Sequence, residues 1–148
     1  MTDILKFLEK NSGDHRKRMI HDIWAWDDNA WEEEHDFIQW LFPLSEKSMS
    51  VPNSPVIRDS EVLQVRESVI AQESLQKSVE RYKQFLLREK YWKYSHNHNH
   101  LRITRVIKSL RLLSGDNSAN DFKHWIASEL GDNIDRLDEK TRQFWRLA

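Results

Sequence analysis

Apolar residues along this chain recur at intervals of three and four and almost nowhere alternate, the spacing of helices with one buried face. Ile4, Leu5, Phe7 and Leu8 mark a short first helix that Asn11, Ser12 and Gly13 stop. Ile20, Ile23 and Trp24 repeat the pattern in a second. Asp27 or Asp28 is placed to cap a third, which carries Trp31, with Glu32, Glu33 and Glu34 near its positive end. The run 37–42 sets Phe37, Ile38 and Leu41 to one side with Trp40 beside them. Pro43 ends it, because the residue before a proline is pushed out of the helical region.

Residues 43–59 carry all three prolines and form the one long loop; it is read as a solvated strap over the core or as a functional segment. Asp59 or Ser60 then caps a helical stretch. Val62, Val65 and Val69 keep one register and Leu75, Val79, Tyr82 and Leu86 another, so the phase predicts two helices with a kink near 71–73; a single helix over 60–89 is the alternative. Ile103, Val106, Ile107, Leu110 and Leu113 define a helix over 99–113, with Gly115 beyond it for a left-handed cap. Ser118 and Asp121 resemble a capping box, opening a helix with Phe122, Trp125, Ile126 and Leu130 inward that Gly131 stops. Leu137, Thr141, Phe144 and Trp145 give the last helix. The pattern predicts an all-α, irregular compact bundle of about seven helices, a single domain over 1–148.

Composition supports this reading. Three glycines are too few for a sheet protein's hairpins, and each follows an apolar helical run, which leaves none to cradle a phosphate. A Gly-x-Ser-x-Gly elbow is absent from the sequence. The chain has no cysteine, which removes thiol chemistry, disulfides and cysteine zinc sites. The start lacks a basic and apolar leader, and no apolar run approaches the ~20 residues of a membrane span. An intracellular, soluble, cytoplasmic protein is the expectation.

Net charge is −1, but its distribution is uneven: eight acids and no Lys or Arg lie between residues 22 and 46, and six cations and no acid between 90 and 114. Such blocks describe interaction surfaces, whether they pair with each other or each meets a partner. Arg102, Arg105, Lys108 and Arg111 step by three residues across the polar side of the 99–113 helix, as an ordinary solvated face or as an anion site. Nucleic acid is disfavoured, since the chain is not basic and no reading motif is present. His96, His98 and His100 alternate, but on a helix that spacing diverges, so capping is the simpler role. Tryptophans 24, 26, 31 and 40 crowd into 17 residues, and most must be core.

Two separated segments carry a resemblance: His-Asp-Phe-Ile-Gln-Trp-Leu-Phe-Pro at 35–43 and Asn-His-Leu-Arg-Ile-Thr-Arg-Val-Ile-Lys-Ser-Leu at 99–110. With Asp-Ile-Trp-Ala-Trp-Asp-Asp at 22–28 and the proline-spaced loop, the chain resembles the opioid growth factor receptor conserved domain over most of 20–115. That resemblance implies a non-enzymatic module with peptide-receptor activity that binds a peptide or protein, without a cofactor. The ligand-binding residues it suggests are His35, Gln39, Trp40, His96, Asn97, Arg102 and Arg105, with the arginines holding a carboxylate. The same residues equally suit a buried polar network that fixes helix packing. A different class is the alternative. The dipeptides His21-Asp22 and His35-Asp36 are similar to those of metal-dependent HD phosphohydrolases, and as ligands they would make a small metal-dependent hydrolase. The two classes separate on metal dependence. The unfolding temperature is expected not to move on adding EDTA, and a collapse would favour the hydrolase.

Overall fold

The computed structural model describes residues 3–48, 51, 53–94 and 97–148. The architecture is all-α and irregular, with nine α-helices and two short 3-10 turns among the described residues, rather than about seven helices. The short helices of the first half are ones that the apolar pattern already marks separately, so the difference is in the total and not in the segments. No strand occurs among the described residues. A lone parallel bridge joins Leu44 to Val56, where the Ile57 amide donates to the Leu44 carbonyl at 2.9 Å. Leu44 and Ile57 are both buried, so the ends of the long loop are pinned to the core while the described residues between them are more exposed. None of the described helices is long and apolar enough to cross a membrane.

The chain forms two compact units, Met1–Phe85 and Leu86–Ala148. The first holds α1 (Asp3–Leu8), α2 (Ile20–Trp24), α3 (Asp28–Glu33), α4 (Ile38–Leu41), α5 (Asp59–Glu67) and most of α6 (Val69–Arg88). The first helix ends at Leu8, before the Asn-Ser-Gly stop. Lys10 takes a left-handed φ of 68°, and the amides of Lys10 and Asn11 return to the carbonyls of Phe7 and Lys6. Gly13 serves a close approach instead: a Cβ there would lie 2.6 Å from the Lys17 carbonyl carbon. Asp27 caps α3 by accepting from the Ala30 amide at 2.9 Å, as its position predicts. Neither Asp59 nor Ser60 caps α5; Arg58 precedes the helix, and Glu61 reaches back to its amide at 3.2 Å.

Two helices replace the single-helix alternative for 60–89, but the break falls at Ser68, not near 71–73. Ser68 is extended, with ψ 112°, and its hydroxyl accepts from the Ala71 amide at 3.1 Å to open α6. Val69 therefore leaves the register of Val62 and Val65 and is 70% exposed. The core of this unit is aromatic. Trp31 meets Phe37 edge-on at 4.9 Å, and Tyr82 and Phe85 of α6 lie about it at 6.1 Å. Arg81 closes the cluster: its guanidinium lies 4.8 Å from the Trp31 ring centre and donates to the Trp24 carbonyl (3.1 Å), the Trp26 carbonyl (2.7 Å) and Asp28 (3.1 Å).

The second unit holds the end of α6, a 3-10 turn Tyr91–Lys93, α7 (Asn99–Leu113), α8 (Asp116–Leu130), a 3-10 turn Gly131–Arg136 and α9 (Glu139–Leu147). α7 packs on α8 and α9. Gly115 does not cap α7 in the left-handed helical region. With φ 105° and ψ 172° it is the N-cap of α8, which starts at Asp116, so Ser118 and Asp121 sit inside the helix rather than at a capping box. Asp138 caps α9 through the Thr141 amide at 2.8 Å. Phe144 is 43% exposed, while its neighbour Trp145 is buried.

Arg81→Met keeps the stem over Trp31 but leaves two helix-end carbonyls and a carboxylate without their charged donor. It is expected to lower stability by about 2–4 kcal/mol, since such bonds are worth roughly 1.5–3 kcal/mol each and do not add fully. Urea unfolding checks this, and a loss under about 0.5 kcal/mol, the scale of a surface change, would show the clamp to be unimportant.

Candidate functional site

In the first unit, three of the suggested residues share the α3–α4 connection and α4. His35 is exposed, and its carbonyl accepts from the Gln39 amide group at 3.2 Å. Gln39 and Trp40 are buried, at 7% and 8% exposure. The Trp40 ring meets Phe7 edge-on at 5.4 Å and stacks with His15 at 6.0 Å. Gln39 Oε1 and Trp40 Nε1 have no hydrogen-bond partner among the described residues, at a cost of roughly 1–3 kcal/mol each.

Beside them lies an ionic cluster that sequence reasoning missed. His15 Nε2 donates to Asp36 at 3.0 Å, Arg18 donates to Asp36 at 3.1 Å and to Asp14 at 2.7 Å, and Arg16 lies 3.4 Å from Asp36. Asp14 also accepts the amides of Arg16 and Arg18, so a tight turn holds both cations over Asp36. The Arg18 guanidinium in turn rests 5.2 Å from the Trp26 ring centre. The signal was present as Asp-His-Arg-Lys-Arg at 14–18, but that run precedes the segment carrying the resemblance and has no apolar periodicity. Burial alone raises the Asp36 pKa. The hydrogen bond and charge of Arg18, with those of His15, outweigh it and hold the carboxyl below its usual 3.8.

In the second unit, Asn97 precedes α7 and its side chain accepts the Asn99 amide at 2.9 Å. His96 lies outside the described residues. Arg102, expected on the solvated face, is buried at 8% exposure and donates to Asn99 at 3.4 Å. The face is wider than one apolar stripe because Asn99 and Ser109 are buried too. Arg105 and Arg111 are half-buried, and Lys108 is exposed. His100 is neither solvated nor placed as a ligand: it is buried, and Nε2 donates to the Trp92 carbonyl at 2.6 Å. Beside it a cleft of about 390 Å³ opens between the start of α7 and α9. Asn97, His98, Leu101 and Thr104 form one wall, and Lys140, Thr141 and Phe144 part of the other. Leu101 is 61% exposed there. Exposed apolar side chains lie there beside hydrogen-bonding groups.

The opioid growth factor receptor conserved region matches residues 10–130. The chain belongs to that family. No curated protein and no solved structure matches it. The opioid growth factor receptor region thus takes in the ionic cluster, α4 and all of α7, and extends beyond the 20–115 that the motifs suggested. It stops before α9, which supplies half of the cleft.

The donor arrangement disfavours the hydrolase alternative. Among the described residues no group of three or more His, Asp or Glu side chains is arranged to hold a metal ion. Asp22 accepts the Met19 amide at 2.9 Å to open α2, with exposed His21 3.7 Å from it, and Asp36 is engaged by Arg18 and His15. His35 and Asp36 therefore take part in fold-fixing contacts, through the backbone and the carboxylate respectively.

A carboxylate whose folded pKa is depressed stabilises the fold above its unfolded value and loses that contribution as pH falls through the folded value. The parent is therefore expected to lose more stability between about pH 5 and pH 2 than Asp36→Asn does, a window set by the ordinary carboxylate range. Thermal melts across that range check it. Parallel curves would show that Asp36 is not coupled to Arg18 and His15.

Proposed function

We propose that the chain is a non-enzymatic peptide- or protein-binding module, with residues 1–148 acting as one opioid growth factor receptor-like domain. The observation that carries the reading is the cleft at the start of α7, where Asn97, within the region that defines the family, lies beside exposed Leu101 and Phe144. A monomer gains nothing by leaving such side chains in a concave surface, and a peptide side chain seated there removes them from water. The family's name supports a peptide ligand, and a short opioid-type peptide is the first candidate. An intracellular, soluble setting is part of the proposal, and a cysteine-free chain has no disulfide that needs an oxidising compartment.

The suggested ligand-binding residues divide by their surroundings. Asn97 lines the cleft, and Arg105 is half-buried one helical turn from Leu101. We assign direct contact to Asn97 and carboxylate capture to Arg105, since a guanidinium holds a carboxylate in bidentate fashion. Arg102 is a positioning residue through Asn99. His35, Gln39 and Trp40 are included as the polar members of the same proposed set, and His96 remains in it by its place in the motif.

Calorimetry against short aromatic peptides, Met-enkephalin-like ones first, tests the reading. The parent is expected to bind. Arg105→Met is expected to lose roughly 1.5–3 kcal/mol of binding with little change in stability, and Leu101→Glu to weaken binding at least as much. Arg102→Met should instead lower stability. Absence of binding by the parent would overturn the opioid-peptide assignment, and binding unaffected by Leu101→Glu would overturn the cleft.

A further inference from the structure

A second concavity in the Leu86–Ala148 unit, of about 380 Å³, lies between α8 and α9. Its floor is apolar: Ile107, Ile126, Leu130 and Trp145 are core residues of the unit that also reach this surface, and Ile134 and Ala127 border it. Its charged lining is cationic throughout, with Lys123 on α8 and Arg142 and Arg146 on α9. Arg142 and Arg146 stand one helical turn apart on the same helix, so they face the groove in a row.

Carboxylates already touch part of this rim. Glu139 meets Arg142 at 2.8 Å and Arg146 at 3.1 Å, and Asp135 lies 3.8 Å from Arg142. Glu139 and Asp135 are both largely exposed, and such pairs are worth little in water, so an incoming carboxylate exchanges for them at small cost. Arg142 Nε is buried without an acceptor among the described residues, and the Lys123 ammonium donates to the Arg146 backbone oxygen at 3.2 Å. Burial and the charge of Arg111 both press the Lys123 ammonium below its ordinary pKa, which a ligand carboxylate would relieve.

We propose that this groove receives the apolar face of an acidic amphipathic helix from a protein partner. The inference rests on the protein-binding reading above and gives it a second surface and a partner chemistry. Charge and spacing select this occupant. A fatty acid offers one carboxylate at one end, whereas the rim sets two cations a helical turn apart and a third on the facing wall. Acids three or four residues apart on a helix match that row, and apolar residues at i, i+3, i+4 and i+7 match a floor of Ile, Leu and Trp side chains. Residues 131–148, which supply Ile134, Arg142, Trp145 and Arg146, lie beyond the family region, so one wall of the groove is built from outside it.

The test is fluorescence anisotropy with a labelled synthetic helix bearing Leu at those four positions and Glu beside them. The full chain is expected to bind it, with affinity that falls as salt rises. Ala127→Glu, at an exposed position on the groove wall, should weaken binding at least tenfold, and Arg146→Glu should do the same; both sites are exposed, and circular dichroism confirms folding. A peptide with Lys in place of Glu should not bind. Equal binding of the Lys peptide, indifference to Ala127→Glu, or no binding of the Glu peptide would each overturn the proposal. So would stoichiometric binding of dodecanoate with no binding of the peptide, which would make the groove a lipid site. Loss of peptide binding on Leu101→Glu alone would overturn it while leaving the cleft and the protein-binding reading intact.

Discussion

One guanidinium sets the geometry of the first unit. α2 and α3 have five and six residues, below the length at which a helix holds itself in water. Their stability must come from what they touch. Arg81 of α6 donates to the carbonyls of Trp24 and Trp26 after α2 and to the carboxylate of Asp28, the first residue of α3, so one side chain ties the end of one helix to the start of the next across the turn between them. Its flat face covers Trp31, and Trp31 is the ring about which Phe37, Tyr82 and Phe85 are arranged. Phe37 leads into α4, so the placement of Gln39 and Trp40 follows from the same joint.

Indole N–H groups do comparable work in both units. Trp31 donates to the Ile23 carbonyl at 3.0 Å, Trp92 to that of Leu86 at 2.8 Å and Trp145 to that of His100 at 3.2 Å. Each large ring thus fills core volume while its one polar atom ties two stretches of backbone together. In the second unit His100 joins this series, since its ring donates to Trp92 and its carbonyl accepts from Trp145. Such a fold needs neither cysteine nor many glycines. The cost is rigidity in chemistry: a donor-only indole over a carbonyl is not replaceable by another aromatic without leaving that carbonyl bare.

The helices were legible where they are long. The 3.6-residue period of α7 fixes its limits and its apolar face, because fifteen residues give the pattern room to repeat. The break at Ser68 was not read, although its signal was local: a serine three residues before Ala71 is a cap, and apolar phase alone places the kink too late. Gly115 was read as the end of one helix when the same residue begins the next, a distinction that depends on ψ and not on residue type. For the site, periodicity could separate core from surface but could not see that a polar residue is buried. Arg102 sits off the apolar stripe by spacing, yet Asn99 and Ser109 are buried near it on α7, and a buried polar face has no hydropathy signature.

Charge blocks were the least reliable guide, for a physical reason. A window of twenty-five residues counts sign, but ion pairs form over four ångströms. Asp36 and Asp28, two members of the acidic block, are held by Arg18 and Arg81 of their own unit, and Arg111 of the cationic block bonds to Asp116, Asn120 and the Ala148 backbone oxygen. Charges spent this way fix structure. In the second unit the α9 cations Arg142 and Arg146 pair instead with exposed carboxylates, those of Glu139 and Asp135, and such pairs are worth little in water. One side of that helix shows Lys140, Thr141 and Phe144 to the cleft, and another shows Arg142 and Arg146 to the groove, with buried Trp145 between them as the anchor. A nine-residue helix can present two different surfaces in this way because consecutive side chains diverge by about 100° around its axis.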